Sequence, residues 1–577
     1  MATGKKVVII GGVAAGPKTA ARLRRLDPTA EITIIERGHF ISYAGCSLPY
    51  YIAGLVKQQK DLMTTPVGVP RDPAYFQKSF NVQVLNHTEA TRIDRAAKQV
   101  EIRDAQGTRR LDYDVLVLAT GVKPVVPKLP GVDRPNVFTL HRIEDAEGIK
   151  AAVGPTQCSA KEGDAHYFEH PPSHKNAVIL GGGLIGVEMA EALVQCGCRV
   201  TIVEMLPQIL PMLDWEMARL VQLHMESKGV RVLTETAATS IEGGERADVV
   251  AVPGERIPAD LVLVAVGVRA NGELAREAGL TIGPTGGIQV DPSMRTSDPA
   301  IYAVGDCTED RHLVSGQPVF LSNGANANKQ GRVAAGNIAG RSEQFPGVVG
   351  SAICKVFDFS AARTGLTEKE ALELGYDAEY CIVPGPDKVH HYPGAKSVIL
   401  KLVADRRTRK LLGAQAVGPG ECAKRIDVAA TALVAGMTVD QVANLDLCYA
   451  PPFSPPLDNL ITAANVLRNK LDGLVRGISA IEVKTRRDGF EDFVFLDVRT
   501  LPEYEAAHIA GTTVIPLGAL RDRLGELPRD KEIVVFCQVS LRGYLAAILL
   551  GRSGFTRVRM MDGGVVAWPY EKVVAAK

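Results

Sequence analysis

The sequence predicts a multidomain α/β protein: two nested βαβ folds, an α+β region after them, and a compact α/β module at the C-terminus. Three observations carry this. An apolar strand, a glycine turn, a helical pattern and a second strand follow one another at 7–36. The same order recurs at 177–204. From about 350 the pattern becomes mixed α+β without a glycine fingerprint, and a compact α/β unit then fills 481–570. The chain of 577 residues corresponds to roughly four domains at about 150 residues each.

Val7-Val8-Ile9-Ile10 is a continuous β-branched run, the mark of a parallel strand buried on both faces, and it closes on Gly11-Gly12. Residues 14–26 have helical spacing and stop at Asp27-Pro28; residues 32–35 form the second strand, ended by Glu36. Asp114 to Gly121 reads as a strand followed by Ala119-Thr120-Gly121. Ala177 to Leu180, a helix to about Cys196, then Val200 to Val203 and Glu204 make the second unit, an internal repeat. Strands ending at Gly267 and at Val304-Gly305-Asp306 follow. The polar stretch 154–175, with Pro155, Pro171 and Pro172, reads as a surface excursion, and Asp472-Gly473 to about Ala480 as a linker.

Composition bounds the partners. Hydrophobic residues make up 46%, and the net charge of +1 gives no bulk attraction to nucleic acid or an anionic membrane. Ten cysteines without a C-x-x-C pair fit a reducing compartment, where a functional cysteine is catalytic rather than bridged. The apolar start is too short for a signal peptide, and no run of about 18 apolar residues exists. The expectation is a soluble, cytoplasmic protein.

The second glycine turn is the stronger signal. Gly181, Gly183 and Gly186 follow a strand and open a helix, so backbone N–H groups can meet a pyrophosphate at the positive helix end. Glu204 is placed to accept from a ribose 2′-OH and would repel a 2′-phosphate, favouring NADH over NADPH. The first turn, Gly11-Gly12-Val13-Ala14-Ala15-Gly16, has Val13 at the middle glycine, while Glu36 keeps the ribose position. Asp306 beside Gly305 is suited to a ribityl hydroxyl. Arg37, Ser42, Glu188 and Gly267 complete the cofactor-contact candidates.

In this order the motifs resemble the flavoprotein pyridine nucleotide-disulfide oxidoreductases over about residues 1–470. The resemblance implies FAD in a discontinuous fold of 1–120 and 262–340, with Thr120 and Gly121 at the crossing. It implies NAD(P)H in 121–261 and a dimerisation domain at 341–470 that makes a homodimer; 471–480 is then linker and 481–577 the last domain.

Many members carry a redox pair in C-x-x-x-x-C. Here Ser42-Tyr43-Ala44-Gly45-Cys46-Ser47-Leu48-Pro49-Tyr50-Tyr51 has Ile41 and Tyr51 at the five-residue offsets from Cys46, so an outside thiol or a sulfenate must complete the cycle. Pro49 suits a first helical turn, which would place Cys46 at a helix N-terminus and lower its pKa. The stretch resembles coenzyme A-disulfide reductases and NADH-dependent persulfide reductases, with Gly45 in place of the family's Asn. The resemblance implies coenzyme A as substrate or ligand, held by Arg22, Arg25 and Ser42. It also makes Tyr392 and Tyr449 candidates to hydrogen-bond the reacting sulfur from the other subunit. A rival reading is an NADH oxidase/peroxidase with a Cys46 sulfenate; those enzymes place a His where this chain has Ala14. A third is a redox-sensing or sulfur-trafficking protein.

Residues 495–568 carry Asp497-Val498-Arg499, Glu503-Tyr504, Cys537-Gln538-Val539-Ser540-Leu541-Arg542 and Asp562-Gly563-Gly564. Cys537 ends a strand and Arg542 starts a helix, so the loop N–H groups would curl round the sulfur. The stretch closely resembles a rhodanese domain, which implies that Cys537, with Arg542 beside it, relays sulfane sulfur. Asp497 and Arg499 read as structural pins. His166, His170 and His174 recur every four residues, but Pro171 and Pro172 break the helix, and no metal is expected. Cys196 and Cys198 read as packing residues.

Overall fold

The computed structural model describes residues 4–154 and 175–574, in two compact units: 1–207 with 230–348, and 208–229 with 349–577. Residues 155–174 of the predicted excursion, with its three histidines, lie outside the described residues.

The first unit holds two five-stranded parallel sheets of the same design. In one, Ile301–Ala303, Val115–Leu118, Lys6–Ile10, Glu31–Ile35 and Val82–Leu85 lie side by side. In the other the order is Arg231–Leu233, Arg199–Val203, Asn176–Leu180, Leu261–Val264 and Val137–Phe138. Alternation along Lys6–Ile10 loads both faces. Val7 and Ile9 pack with Leu23 and Ala334 on one side, Val8 and Ile10 with Ile93, Val100 and Leu118 on the other. Such two-sided burial is why the strand reads as an unbroken apolar run. In both sheets the glycine turn follows the carboxyl end of the central strand, where an open α/β sheet leaves its crevice.

The second unit combines an antiparallel sheet, ordered Ala352–Val356, Phe359–Gly365, Leu411–Gly418, Ser397–Asp405 and Ala378–Pro386, with the C-terminal module. That module is a parallel sheet of Gly477–Ile478, Val558–Met561, Glu532–Phe536, Phe493–Asp497 and Thr513–Val514. Two features depart from the sequence expectation. The helix Trp215–Ser227, inside the expected nucleotide domain, groups with the second unit, where buried Lys401 meets its Glu216 and the preceding Asp214. The expected linker supplies the edge strand Gly477–Ile478 and the Ser479 cap of the next helix. No helix among the described residues is long and apolar enough to cross a membrane.

Candidate active sites

Both glycine turns are built alike. Gly11 and Gly181 have φ of +115° and +107°, which favour glycine. A Cβ on Gly16 would overlap the Gly11 carbonyl, and one on Gly186 the Gly181 carbonyl, so each third glycine lets the helix sit against the turn. Gly183 faces open space, whereas Val13 occupies the equivalent place in the first turn. The helices Ala15–Leu26 and Leu184–Gln195 start without a side-chain cap, unlike Gly324–Ile338, whose first N–H groups are taken by Asn323. Uncapped N–H groups at a helix start fit a pyrophosphate. Glu36 Oε2 accepts from Gly12 N–H at 2.8 Å and Glu204 Oε2 from Gly182 N–H at 2.6 Å, which orients each carboxylate at the mouth of its turn. Arg37 is exposed beside Glu36, and Ala15 is buried in the helix start.

Around the first turn, Thr120 Oγ1 donates to Asn271 O at 2.8 Å and Gly121 has φ +66°. Gly267, at φ +117°, accepts from Val125 N–H. Gly305 packs between Ala15 and Ala327, and its N–H donates to Gln330 Oε1 at 2.6 Å. Asp306 accepts from Ser322 Oγ and Asn323 N–H at the mouth of the helix Gly324–Ile338. Asp310, a residue that no sequence pattern marks, is pushed up to about 7 by burial and by Asp306. It carries no motif, only proximity that the fold creates.

Ser42 ties the Cys46 loop to the first turn: its N–H donates to Gly12 O at 2.8 Å, with φ +49°. Cys46 lies in the 3-10 turn Gly45–Ser47, and buried Leu48 and Ile52 of the short helix Leu48–Ile52 anchor the loop. The expected lowering of the Cys46 pKa is corrected by the structure. Although the residue is exposed, partial burial of its sulfur, then the charges of Glu188 and Asp306, push the thiol up. The helix has only 5 residues, too short for a strong macrodipole, and the neighbouring side chains are acidic. Burial raises Glu188 to about 7, with the Tyr50 hydroxyl, 3.5 Å away, pulling it back.

In the C-terminal module Cys537 is fully buried directly after strand Glu532–Phe536. Val565 N–H donates to its carbonyl at 2.9 Å and Val566 N–H to Gln538 O at 3.1 Å. Ser540, at φ +82°, turns the chain into the helix Leu541–Arg552. Arg542 is gripped by both oxygens of Glu503, at 2.7 and 2.5 Å, and this holds Glu503 down at about 2. Glu503 was missed as a partner because it lies 39 residues away. The same Arg542 guanidinium also interacts with the Cys537 thiol. Arg499 is 1% exposed and bonds both oxygens of fully buried Asp497 as well as Gln538 Oε1, as a pin should.

The remaining candidates are dispersed. Arg25 is exposed and lies over Phe80, while Arg22 sits 3.8 Å from Glu343 with its Nε buried and unpartnered. Tyr392 and Tyr449 are exposed in the second unit. Cys198 is buried and Cys196 Sγ meets Ile52 O. Among the described residues, Asp214, Glu216 and Glu368 come together in a metal-like group, but the Lys401 ammonium is ion-paired with all of them.

A double cradle for dinucleotides followed by an antiparallel domain defines a two-nucleotide oxidoreductase, and comparison with known proteins agrees. The pyridine nucleotide-disulphide oxidoreductase family matches residues 5–331, its dimerisation domain residues 351–460, and a rhodanese-like domain residues 479–570. The chain belongs to the pyridine nucleotide-disulphide oxidoreductase family. It is similar to the NAD(P)H coenzyme A polysulfide/persulfide reductase of Pyrococcus horikoshii, 37% identical over 467 residues, covering 80% of this chain and 98% of that one. Among solved structures it resembles a NAD-dependent persulfide reductase from A. fulgidus, at 46% identity and TM-score 0.91, covering 98% of this chain and all of that one. It also resembles Bacillus anthracis CoADR-RHD, at 36% identity and TM-score 0.89, covering 98% of both chains.

Proposed function

We propose that this chain is an FAD- and NADH-dependent reductase of sulfur–sulfur bonds in coenzyme A disulfide, coenzyme A persulfide or polysulfide. One observation carries the reading: a single cysteine loop is stitched through Ser42 to one of two dinucleotide cradles in the same compact unit. FAD belongs with Gly11, Gly12, Ala15, Gly16, Glu36, Arg37, Thr120, Gly121, Gly267, Gly305 and Asp306, and NADH with Gly181, Gly183, Gly186, Glu188 and Glu204. Bound there, the pair supplies two electrons to a sulfur. Domain limits of 1–120 with 262–340, 121–261, 341–470 and 481–577 accompany the assignment.

Cys46 as thiolate attacks the coenzyme A disulfide, forming a mixed disulfide and expelling one coenzyme A as thiolate, which takes up a proton; two electrons and a second proton then return the Cys46 thiolate and release the second coenzyme A thiol. With a persulfide the same balance yields coenzyme A thiol and hydrogen sulfide. Glu188, titrating near neutrality beside Cys46, holds or gives up a proton there. Tyr392 and Tyr449 serve the Cys46 of a second copy in a homodimer, a reading supported by the dimerisation-domain match. Arg22, Arg25 and Ser42 contact coenzyme A. Cys537, with Arg542, takes sulfane sulfur from a donor and passes it to a thiol carrier. The nine described cysteines are all free, which supports a reducing, cytoplasmic setting.

Stopped-flow NADH oxidation against coenzyme A disulfide, coenzyme A persulfide, polysulfide and peroxide tests this. Cys46→Ser is expected to abolish turnover of every sulfur substrate. Cys537→Ser is expected to keep coenzyme A chemistry and lose only inorganic sulfur donors. Peroxide consumption matching NADH use, with coenzyme A persulfide inert, would instead favour the peroxidase reading.

A further inference from the structure

A buried ion pair lies beneath the Cys537 loop. Lys470, near the end of the helix Asn459–Leu471, is 5% exposed. Its ammonium stands 3.0 Å from Glu379 Oε1 and 3.0 Å from Asp562 Oδ2, donates to the Tyr380 carbonyl, and rests over the Tyr380 ring at 4.6 Å. Asp562, from the C-terminal module, is 2% exposed, and its Oδ1 is buried without a hydrogen-bond partner. Lys470 is therefore the counter-charge of a carboxylate that water does not reach. Gly477 closes the pocket: a Cβ there would stand 2.6 Å from Asp562 Oδ2 and overlap the Lys470 ammonium.

The residues after Asp562 form the floor of the sulfur loop. Gly563 N–H donates to Ser540 Oγ at 2.9 Å, Val565 N–H to Cys537 O at 2.9 Å, and Val566 N–H to Gln538 O at 3.1 Å. A Cβ on Gly564 would overlap the Cys537 carbonyl, so floor and loop are in direct backbone contact. Gly563 also packs on Ile382, from the strand Ala378–Pro386 that carries Glu379 and Tyr380. The first residue of the floor is thus clamped from outside the module.

We propose that Lys470 is a positioning residue for sulfur transfer at Cys537: its ion pair with Asp562 fixes the backbone strip that shapes the Cys537 loop. The α+β domain then sets the reactivity of a module that carries all of its own contacting groups. This rests on the reading of Cys537 as a sulfur carrier.

The test uses the full-length holoenzyme with Lys470→Met and, separately, Gly477→Ala, which wedges the pair apart without removing a charge. Sulfur transfer from thiosulfate to a dithiol is measured beside NADH-dependent reduction of coenzyme A disulfide. Iodoacetamide labelling of each cysteine is followed by mass spectrometry, with Cys422, buried elsewhere in the same unit, as the internal reference. Both variants are expected to lose at least about ten-fold in sulfur transfer, to label Cys537 at least about ten-fold faster with Cys422 unchanged, and to keep NADH-dependent reduction within about two-fold. Unchanged Cys537 labelling in both variants overturns the proposal. So does parallel labelling of Cys422, which would make the pair a support of the whole unit. A wild-type enzyme inert to thiosulfate overturns the sulfur-carrier reading instead, and the labelling still decides the role of Lys470.

Discussion

Replacing Glu188 with Gln isolates the acid that shares the Cys46 environment. Burial moves this carboxyl from 4.5 to about 7, worth about 3 kcal/mol at 1.36 kcal/mol per pH unit. The folded carboxyl holds its proton more tightly than the unfolded chain does. The stability this contributes is complete below pH 4.5 and is lost as pH rises through about 7. Between about pH 4.5 and about pH 8 the wild type should therefore lose up to about 3 kcal/mol that Glu188→Gln does not lose. Urea unfolding of the holoenzyme without NADH, followed by flavin release, reads the first unit. Both tryptophans, Trp215 and Trp568, lie in the second unit, so their fluorescence serves as a control that the substitution should leave unmoved. The neutral side chain also removes one of the charges that hold the Cys46 thiol up, so alkylation of Cys46 should extend to lower pH. Parallel stability–pH curves for the two proteins, or an unmoved Cys46 profile, would refute the reasoning.

Three further outcomes are expected. Arg499→Met leaves the Asp497 carboxylate buried without its counter-charge and should cost about 3–5 kcal/mol, read as an earlier tryptophan-detected urea transition. Gly564→Ala drives a methyl into the Cys537 carbonyl from a backbone at φ +57°, so sulfur transfer should fall to background in stopped assays while NADH oxidation by coenzyme A disulfide persists. Glu503, held at about 2 by Arg542, gives stability that is present above pH 4.5 and lost as pH falls toward 2. Because the pair is about one-third exposed, screening reduces this to about 1 kcal/mol, and Glu503→Gln should flatten the acid limb of the melting profile by that amount.

The parts of this protein that sequence reveals are those set by short-range backbone demands. Each glycine turn needs φ values and close approaches that only a local run of glycines allows, so Gly11, Gly16, Gly181 and Gly186 announce themselves, and the strand after each ends in its glutamate. The Cys537 loop is visible for the same reason, being one strand end, one turn and one helix start. What stays hidden depends on groups far apart in the chain. The acidic surroundings of Cys46 come from Glu188 and Asp306, so Pro49 after the cysteine suggested a thiol easier to ionise than the one found. Glu503 and Arg542, or Lys470 and Asp562, become partners only when the sheets are in place. The helix Trp215–Ser227 has a pattern compatible with either unit, and its buried acids, answered by Lys401, decide where it belongs. The stretch from Asp472-Gly473 to about Ala480 read as a linker, whereas its Gly477 leaves the room that Lys470 occupies, since a Cβ there would overlap the ammonium.

The first parallel sheet borrows its last strand from far along the chain: Val115–Leu118 pairs on one side with Lys6–Ile10 and on the other with Ile301–Ala303. During synthesis the Val115–Leu118 edge, Val-Leu-Val-Leu, therefore emerges from the ribosome long before its cover exists. At about 5–20 residues per second the wait is roughly 10–40 s, ample time for an apolar edge to find a wrong neighbour. The intervening nucleotide fold has all five of its own strands within the borrowed gap and can close first. Refolding of the isolated N-terminal piece ending before Ile301 should accordingly yield aggregates, whereas extension through Val348, the end of the first unit, should rescue it.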